Sequence, residues 1–143
     1  MLSSQPEHYR ATKLITVTAG IILKENRILA ARRKAGKHLE GMWEFPGGKL
    51  EAGELPEVCL ARELAEEFGI KARIGRYLGE SVHDYGEKVI KLLAYHVTHV
   101  SGEFRLTDHD ELRWLSGAEL YEVEWAPADI PLLQSAYSLV KQN

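Results

Sequence analysis

The chain is poor in cysteine. Among 143 residues only Cys59 carries a thiol, so no disulfide can close within the chain and a reducing compartment is expected. An excess of either charge is also missing. Lys and Arg number 18 against 21 Asp and Glu, a formal net charge of −3. No basic field exists to hold a nucleic-acid backbone, which excludes a polymeric DNA or RNA partner and leaves room for a small anionic ligand. No apolar run reaches the roughly 18 residues that a membrane-spanning helix needs. The opening stretch MLSSQPEHYRATK lacks the apolar segment of a secretory signal. Repeats, low-complexity tracts and linkers are absent too. The expectation is a soluble cytoplasmic chain without a membrane partner, with a flexible tail over residues 1–12 and one domain over 13–143.

What is present is enough to build a core, since 45% of the residues are hydrophobic and 27% charged. LITVTAGIIL (14–23) is rich in β-branched residues and predicts a strand, with KEN as the turn to a second strand, RILAARR. MWEF predicts a short strand stopped by Pro46-Gly47-Gly48. Pro56 suits a first helical turn and Gly69 the position just past a helix end, so a helix is predicted between them. Two long strands flank Gly86 as a hairpin, and GEFRL and DELRWL predict shorter strands. Ser116 can cap a brief helix over GAELYEV. Asp129 can open the last helix, with Pro131 in its first turn. The pattern is α+β, a mixed sheet with helices packed on it.

The helix from Pro56 carries the chemical signal. At about 100° per residue, Leu60, Leu64 and Phe68 form one apolar stripe, while Glu63, Glu66 and Glu67 crowd a different side. Like charges three and four residues apart each cost a few tenths of a kcal/mol, and carboxylates near a helix C-terminus meet the negative end of its dipole, about 0.3–1 kcal/mol more. Arg62 is the only cation within the helix. A solvated acidic face is the ordinary account of such a cluster; a divalent ion is the other, because Mg²⁺ or Mn²⁺ prefers carboxylate, phosphate and water oxygens. Gly47-Gly48 permits a close backbone approach just before it. Glu54 can pair with Arg62 and keep its guanidinium off the other carboxylates.

From Gly48 to Ile70 the chain reads Gly-x5-Glu-x7-Arg-Glu-Leu-x-Glu-Glu-x-Gly-Ile, which matches the Nudix box at every defined position. With GMWEFPGGKLE before it and APADIPLL after, most of the chain resembles MutT-type nucleoside triphosphate pyrophosphohydrolases of the Nudix hydrolase family, closest to the CTP pyrophosphohydrolase branch. The resemblance implies a Nudix fold, with a mixed sheet sandwiched between helices. It implies that Glu63, Glu66 and Glu67 ligate Mg²⁺ or Mn²⁺ with the Gly47 carbonyl, and that Glu67 or Glu66 acts on the attacking water. Glu54 and Arg62 become the orienting pair. Asp108, six positions before Trp114, stands where similar proteins carry a ligating glutamate; it is one methylene shorter, with Glu111 a nearby substitute.

Arg33 is a candidate for a phosphate or the base, and Phe45 and Tyr95 for stacking on the base; each also has a plain structural role open to it. Asp129 stands where similar proteins read the base, and a carboxylate there favours donor edges, as in cytosine or 8-oxoguanine; an N-cap role is the alternative. The implied reaction is hydrolysis of CTP, dCTP, a modified form or 8-oxo-dGTP to a monophosphate and pyrophosphate, in nucleotide-pool sanitation by a monomer or homodimer. ADP-ribose-type substrates, or a non-catalytic nucleotide-binding domain, are the alternatives.

Overall fold

A computed structural model describes residues 13–142; the expected tail over 1–12 lies outside the described residues. In chain order come β1 (Lys13–Lys24), β2 (Arg27–Arg33), β3 (Trp43–Glu44), β4 (Gly47–Lys49), α1 (Pro56–Phe68), β5 (Lys71–Asp84), β6 (Lys88–Ser101), β7 (His109–Leu115) and α2 (Leu133–Leu139). Short 3-10 turns cover Glu119–Tyr121 and Ile130–Leu132. Among the described residues no helix is long and apolar enough to cross a membrane.

β1 organises the sheet. It runs parallel to β6 from Lys13↔Lys88 to Ile22↔Val97, and on its other edge it divides its partners. Val17 to Ala19 pair antiparallel with β4, whereas Leu23 and Lys24 pair with β2. β2 carries β3 and β7 away from that junction, and β5 closes the far edge on β6. Splitting one edge of β1 between two partners opens the gap in which the cleft sits.

Period-two alternation sends neighbouring side chains to opposite faces. Ile21, Ile28, Ala30 and Ala94 enter a core with Leu120, Leu132, Leu133 and Ala136 on the α2 side. Their neighbours Ile22, Leu29, Ala31 and Tyr95 enter a second core with Leu60, Leu64 and Phe68 of α1. The mixed sheet is thus held between the two helices, the α+β architecture that the pattern predicts. α1 has Pro56 in its first turn, and Gly69 at φ 72° gives its N–H to Ala65 O, with Ile70 N–H on Leu64 O.

Three local expectations change. GEFRL forms no strand: Arg105 donates from its backbone N–H to Phe68 O (2.9 Å) and from Nη2 to Glu66 O (3.1 Å), while Thr107 Oγ1 donates to Glu67 O (3.0 Å). The unpaired carbonyls at the end of α1 recruit this segment, so its donors are not available to a sheet. Gly47-Gly48 does not stop a strand but forms β4, and β3 shortens to Trp43–Glu44. GAELYEV makes only a 3-10 turn with Ala118 at its N-cap, and Ser116 bonds reciprocally with its first residue: Glu119 N–H donates to Ser116 Oγ and Ser116 N–H to Glu119 Oε1.

Candidate active site

A cleft of about 330 Å³ opens between β4, α1 and the start of β7, lined by Gly47, Gly48, Lys49, Glu63, Glu67, Asp108, Phe45, Glu44, Arg33 and Asp129. A second chamber of about 170 Å³ continues from it, sharing Val17, Arg33, Glu44, Leu92 and Asp129 and adding His38, Tyr85, Lys88, Ile90, Ala126 and Ala128. One end is therefore acidic and close to a helix. The other has an apolar floor with a few polar groups around it, the usual make-up of a small-molecule site.

The glycines of β4 set the approach. A Cβ on Gly47 would overlap the Thr18 carbonyl, and one on Gly48 would overlap the Glu63 carboxyl. Neither glycine is needed here for a left-handed φ; both are needed because the strand passes so near its neighbours. Thr18 Oγ1 donates to Gly48 O (3.1 Å) and holds β4 against the cleft wall.

The three helix glutamates do not stay together. Glu63 and Glu67, each with side chains 17% exposed, face the cleft, whereas Glu66 is 64% exposed and turns outward. Arg62 explains part of this division. It pairs with Glu54 through two hydrogen bonds, Nε to Oε2 (2.6 Å) and Nη2 to Oε1 (2.9 Å). Its Nη1 also reaches Glu63 (3.0 Å) and Glu66 (3.1 Å). The expectation that Glu54 keeps the guanidinium away from the other carboxylates is therefore not met. Those two residues sit one and four places on, within reach of the same fork. The hydrogen bonds from Arg62 hold the Glu54 carboxyl down at about 2, well below the usual carboxylate range.

Glu67 shows the opposite shift. Burial, then a hydrogen bond and charge repulsion from Asp108, push it up to about 8. Asp108 is lowered by that shared hydrogen bond and by Lys37, whose Nζ lies 3.0 Å away. Glu111 is not in the cleft; it pairs with Arg32 at 3.3 Å. Among the described residues no three His, Cys, Asp or Glu side chains converge as a ready-made metal cage. Glu63, Glu67, Asp108 and Gly47 nonetheless share one wall. All-oxygen donors and the half-buried Glu67 carboxyl fit Mg²⁺ or Mn²⁺, which complete their shells with water and phosphate.

Asp129 sits where the two chambers meet. It is 4% exposed, stands at the N-cap of the Ile130–Leu132 turn without a side-chain capping bond, and accepts the Phe45 N–H at 3.0 Å. Burial, then the nearby Glu44 charge, push its carboxyl well above the ordinary range. The loop that carries it is fixed on all sides: Ser81 Oγ donates to Ala128 O (2.6 Å), Ala128 N–H donates to Tyr85 Oη (3.0 Å), and Ala126 N–H donates to Trp43 O (2.8 Å). Phe45 reaches the cleft with its ring against Trp125, 4.5 Å between centroids. Arg33 donates to His38 O (2.7 Å) and Glu44 Oε2 (3.1 Å) while lining both chambers. Tyr95 is elsewhere. It lies in the α1-side core against Tyr77, because β6 turns it to the face opposite Leu92 and Ala94.

The NUDIX domain model matches residues 14–136. The chain belongs to the Nudix family. This Nudix domain is 40% identical over 127 residues to the CTP pyrophosphohydrolase of Escherichia coli, covering 89% of this chain and 94% of that protein. It is 41% identical over 116 residues to the putative 8-oxo-dGTP diphosphatase 2 of Mycobacterium tuberculosis, covering 79% and 81%. Its fold resembles the solution structure of the E. coli ORF135 protein at a TM-score of 0.79 and 40% identity, over 90% and 91% of the two chains. It is a Nudix hydrolase acting on nucleotides.

Among the side chains in and beside the Nudix cleft that escaped the sequence reading are Glu44, Lys49 and His109. Glu44 lies inside the quoted WEF stretch, an acidic residue in an apolar run beside the glycines, which is a usable signal. His109 follows Asp108, but only the register of β7 on β2, Arg33↔His109, shows that it reaches Glu44.

Proposed function

We propose that this Nudix hydrolase cleaves nucleoside triphosphates, with CTP or dCTP as the favoured class, to the monophosphate and pyrophosphate in a Mg²⁺- or Mn²⁺-dependent reaction that clears the nucleotide pool. One observation carries the reading: the acidic wall of Glu63, Glu67 and Asp108 continues directly into a chamber whose buried polar residue is Asp129. A divalent ion held by Glu63, Glu67, Asp108 and the Gly47 backbone would supply positive charge to the polyphosphate oxygens and ease proton loss from the attacking water.

The chain's own residues supply the rest. Water adds to phosphorus as a bridging P–O bond breaks, and its proton passes to a carboxylate. Glu67 suits that task better than Glu66, because it is inside the cleft and its carboxyl is pushed toward neutral pH. Arg33 and Lys49 line the cleft walls, where they would face the phosphates. Asp129, whose carboxyl burial pushes well above the ordinary range, would in its acid form offer an O–H donor beside a carbonyl acceptor. That pair complements cytosine, whose ring N3 accepts and whose exocyclic amine donates. Oxidised guanine is the second reading, supported by the likeness to 8-oxo-dGTP diphosphatases.

The test is a panel of canonical and oxidised nucleoside triphosphates, ADP-ribose and dinucleoside polyphosphates, incubated with Mg²⁺ and assayed for pyrophosphate or phosphate. Pyrophosphate from CTP or dCTP is expected. Release from 8-oxo-dGTP alone would select the second reading, and release from ADP-ribose alone, or from nothing, would overturn both. Glu67→Gln is expected to lose about two or more orders of magnitude in turnover at unchanged fold, read by steady-state kinetics and circular dichroism.

A further inference from the structure

Tyr85 stands in the turn between β5 and β6 and lines the second chamber beside His38, Ala128 and Asp129. Its ring is held from several sides. The turn closes with Tyr85 N–H on Lys88 O (2.8 Å) and Gly86 N–H on Asp84 Oδ1 (2.7 Å), with Gly86 at φ 99°. The ring meets His83 and His38 edge-on, with 4.4 Å and 5.4 Å between centroids.

The hydroxyl is only half used. Its oxygen accepts the Ala128 N–H at 3.0 Å, which ties the hairpin to the loop that carries Asp129. A phenol hydroxyl also has one hydrogen to donate. Among the described residues no acceptor takes it: neither the Asp129 nor the Glu44 carboxyl, both in the same chamber, bonds to Tyr85 Oη. Burial raises the phenol above its ordinary range, so the hydrogen stays on the oxygen at neutral pH. Water can serve this donor while the chamber is open. A base that fills the chamber displaces that water, and it either brings an acceptor or leaves the donor unpaired at a cost.

The neighbouring residue indicates which acceptor. Ala128 precedes Asp129, the residue assigned above to cytosine N3 and the exocyclic amine. Cytosine carries one more polar atom on that edge, the ring carbonyl O2 beside N3, and it only accepts. The chamber floor of Val17, Ile90 and Leu92 offers O2 no donor. Arg33 is engaged with His38 O and Glu44. Lys88 carries its charge on a long flexible stem, whereas Tyr85 Oη is fixed by Ala128.

We propose that Tyr85 is a specificity-determining residue: its hydroxyl accepts from Ala128 N–H and donates to the ring carbonyl O2 of a bound cytosine. This deepens the cytosine reading of the same chamber and rests on it.

Replacing O2 by sulfur, a poor acceptor, tests the contact from the ligand side. Wild type is expected to favour CTP over 2-thio-CTP by about tenfold in kcat/KM, the scale of one lost hydrogen bond. Tyr85→Phe keeps the ring between His38 and His83 without the hydroxyl. It is expected to treat the two substrates within about threefold of each other, because CTP falls and 2-thio-CTP barely changes. If both fall together and the tenfold preference persists, Tyr85 only anchors the Ala128 loop and the proposal is overturned. A wild type that does not distinguish the two substrates would overturn it as well. Calorimetric binding of CMP and 2-thio-CMP is expected to show the same preference and the same loss, with no reaction needed. If that binding pattern holds but CTP is not hydrolysed, the proposed reaction falls and the Tyr85 contact stands. If CTP is hydrolysed but Tyr85→Phe keeps the wild-type preference, the contact falls and the reaction stands.

Discussion

Asp129 shows how much one buried carboxyl decides. Its carboxyl titrates well above the ordinary range in the folded protein, so folding retains a proton that the unfolded chain releases above about pH 4. Stability from this residue therefore falls as pH rises. Asp129→Asn preserves an oxygen for the Phe45 N–H and removes the titration. The variant is expected to gain stability over wild type at pH 8 and to lose that advantage below about pH 4, as read by urea midpoints across pH. Because its amide repeats the donor–acceptor pair, Asp129→Asn is expected to keep the ratio of kcat/KM between CTP and other triphosphates within about threefold, whereas Asp129→Leu, which has neither group, is expected to change it by about tenfold, the scale of one lost base contact. An unchanged substrate profile in Asp129→Leu would leave Asp129 as packing alone.

At the scale of the element, α1 is held at both ends by residues outside it. Glu54, in the loop before it, is kept near a pKa of 2 by Arg62. Its contribution is fully present above about pH 4.5 and is lost as pH falls toward 2. Glu54→Gln is expected to lower the urea midpoint at pH 7 and to flatten the decline between pH 4.5 and 2.5; a variant with the wild-type pH profile would show that the pair does not clamp the loop. At the other end Arg105 lays its stem over Gly69 and gives Nη2 to Glu66 O. This guanidinium supplies the cation that the last turn of α1 lacks in its own sequence. Arg105→Ala is expected to cost about 0.5–1.5 kcal/mol, a drop of roughly 2–6 °C in melting temperature by calorimetry.

At the scale of the whole molecule, ligand binding in the cleft is expected to raise stability. Cleft carboxylates Glu44, Glu63, Glu67, Asp108 and Asp129 face Arg33 and Lys49 across a seam between β4, α1 and β7. A cation and a polyphosphate bound there would bridge β4, α1 and the segment that leads into β7. Saturation at about 100 times Kd with Mg²⁺ and a slowly cleaved triphosphate analogue is expected to raise the melting temperature by roughly 5–10 °C, and EDTA to cancel the rise. No shift with Mg²⁺, Mn²⁺ or any nucleotide would remove the metal-dependent account.

Local pattern and spacing alone determined the strand at 14–23, the long hairpin about Gly86, the capped α1 helix and the Leu60–Leu64–Phe68 stripe, because each depends on neighbours within one turn or one pleat. The Nudix box was legible for the same reason: its residues share one loop and one helix. Only the tertiary structure decided which carboxylates meet. It turned Glu66 outward, brought Asp108 to Glu67 from 41 positions away, buried Tyr95 on the far face and drew GEFRL (102–106) from a strand into the cap of α1. Those outcomes depend on register and on which unpaired backbone groups lie nearest, and neither is written in the spacing of one segment.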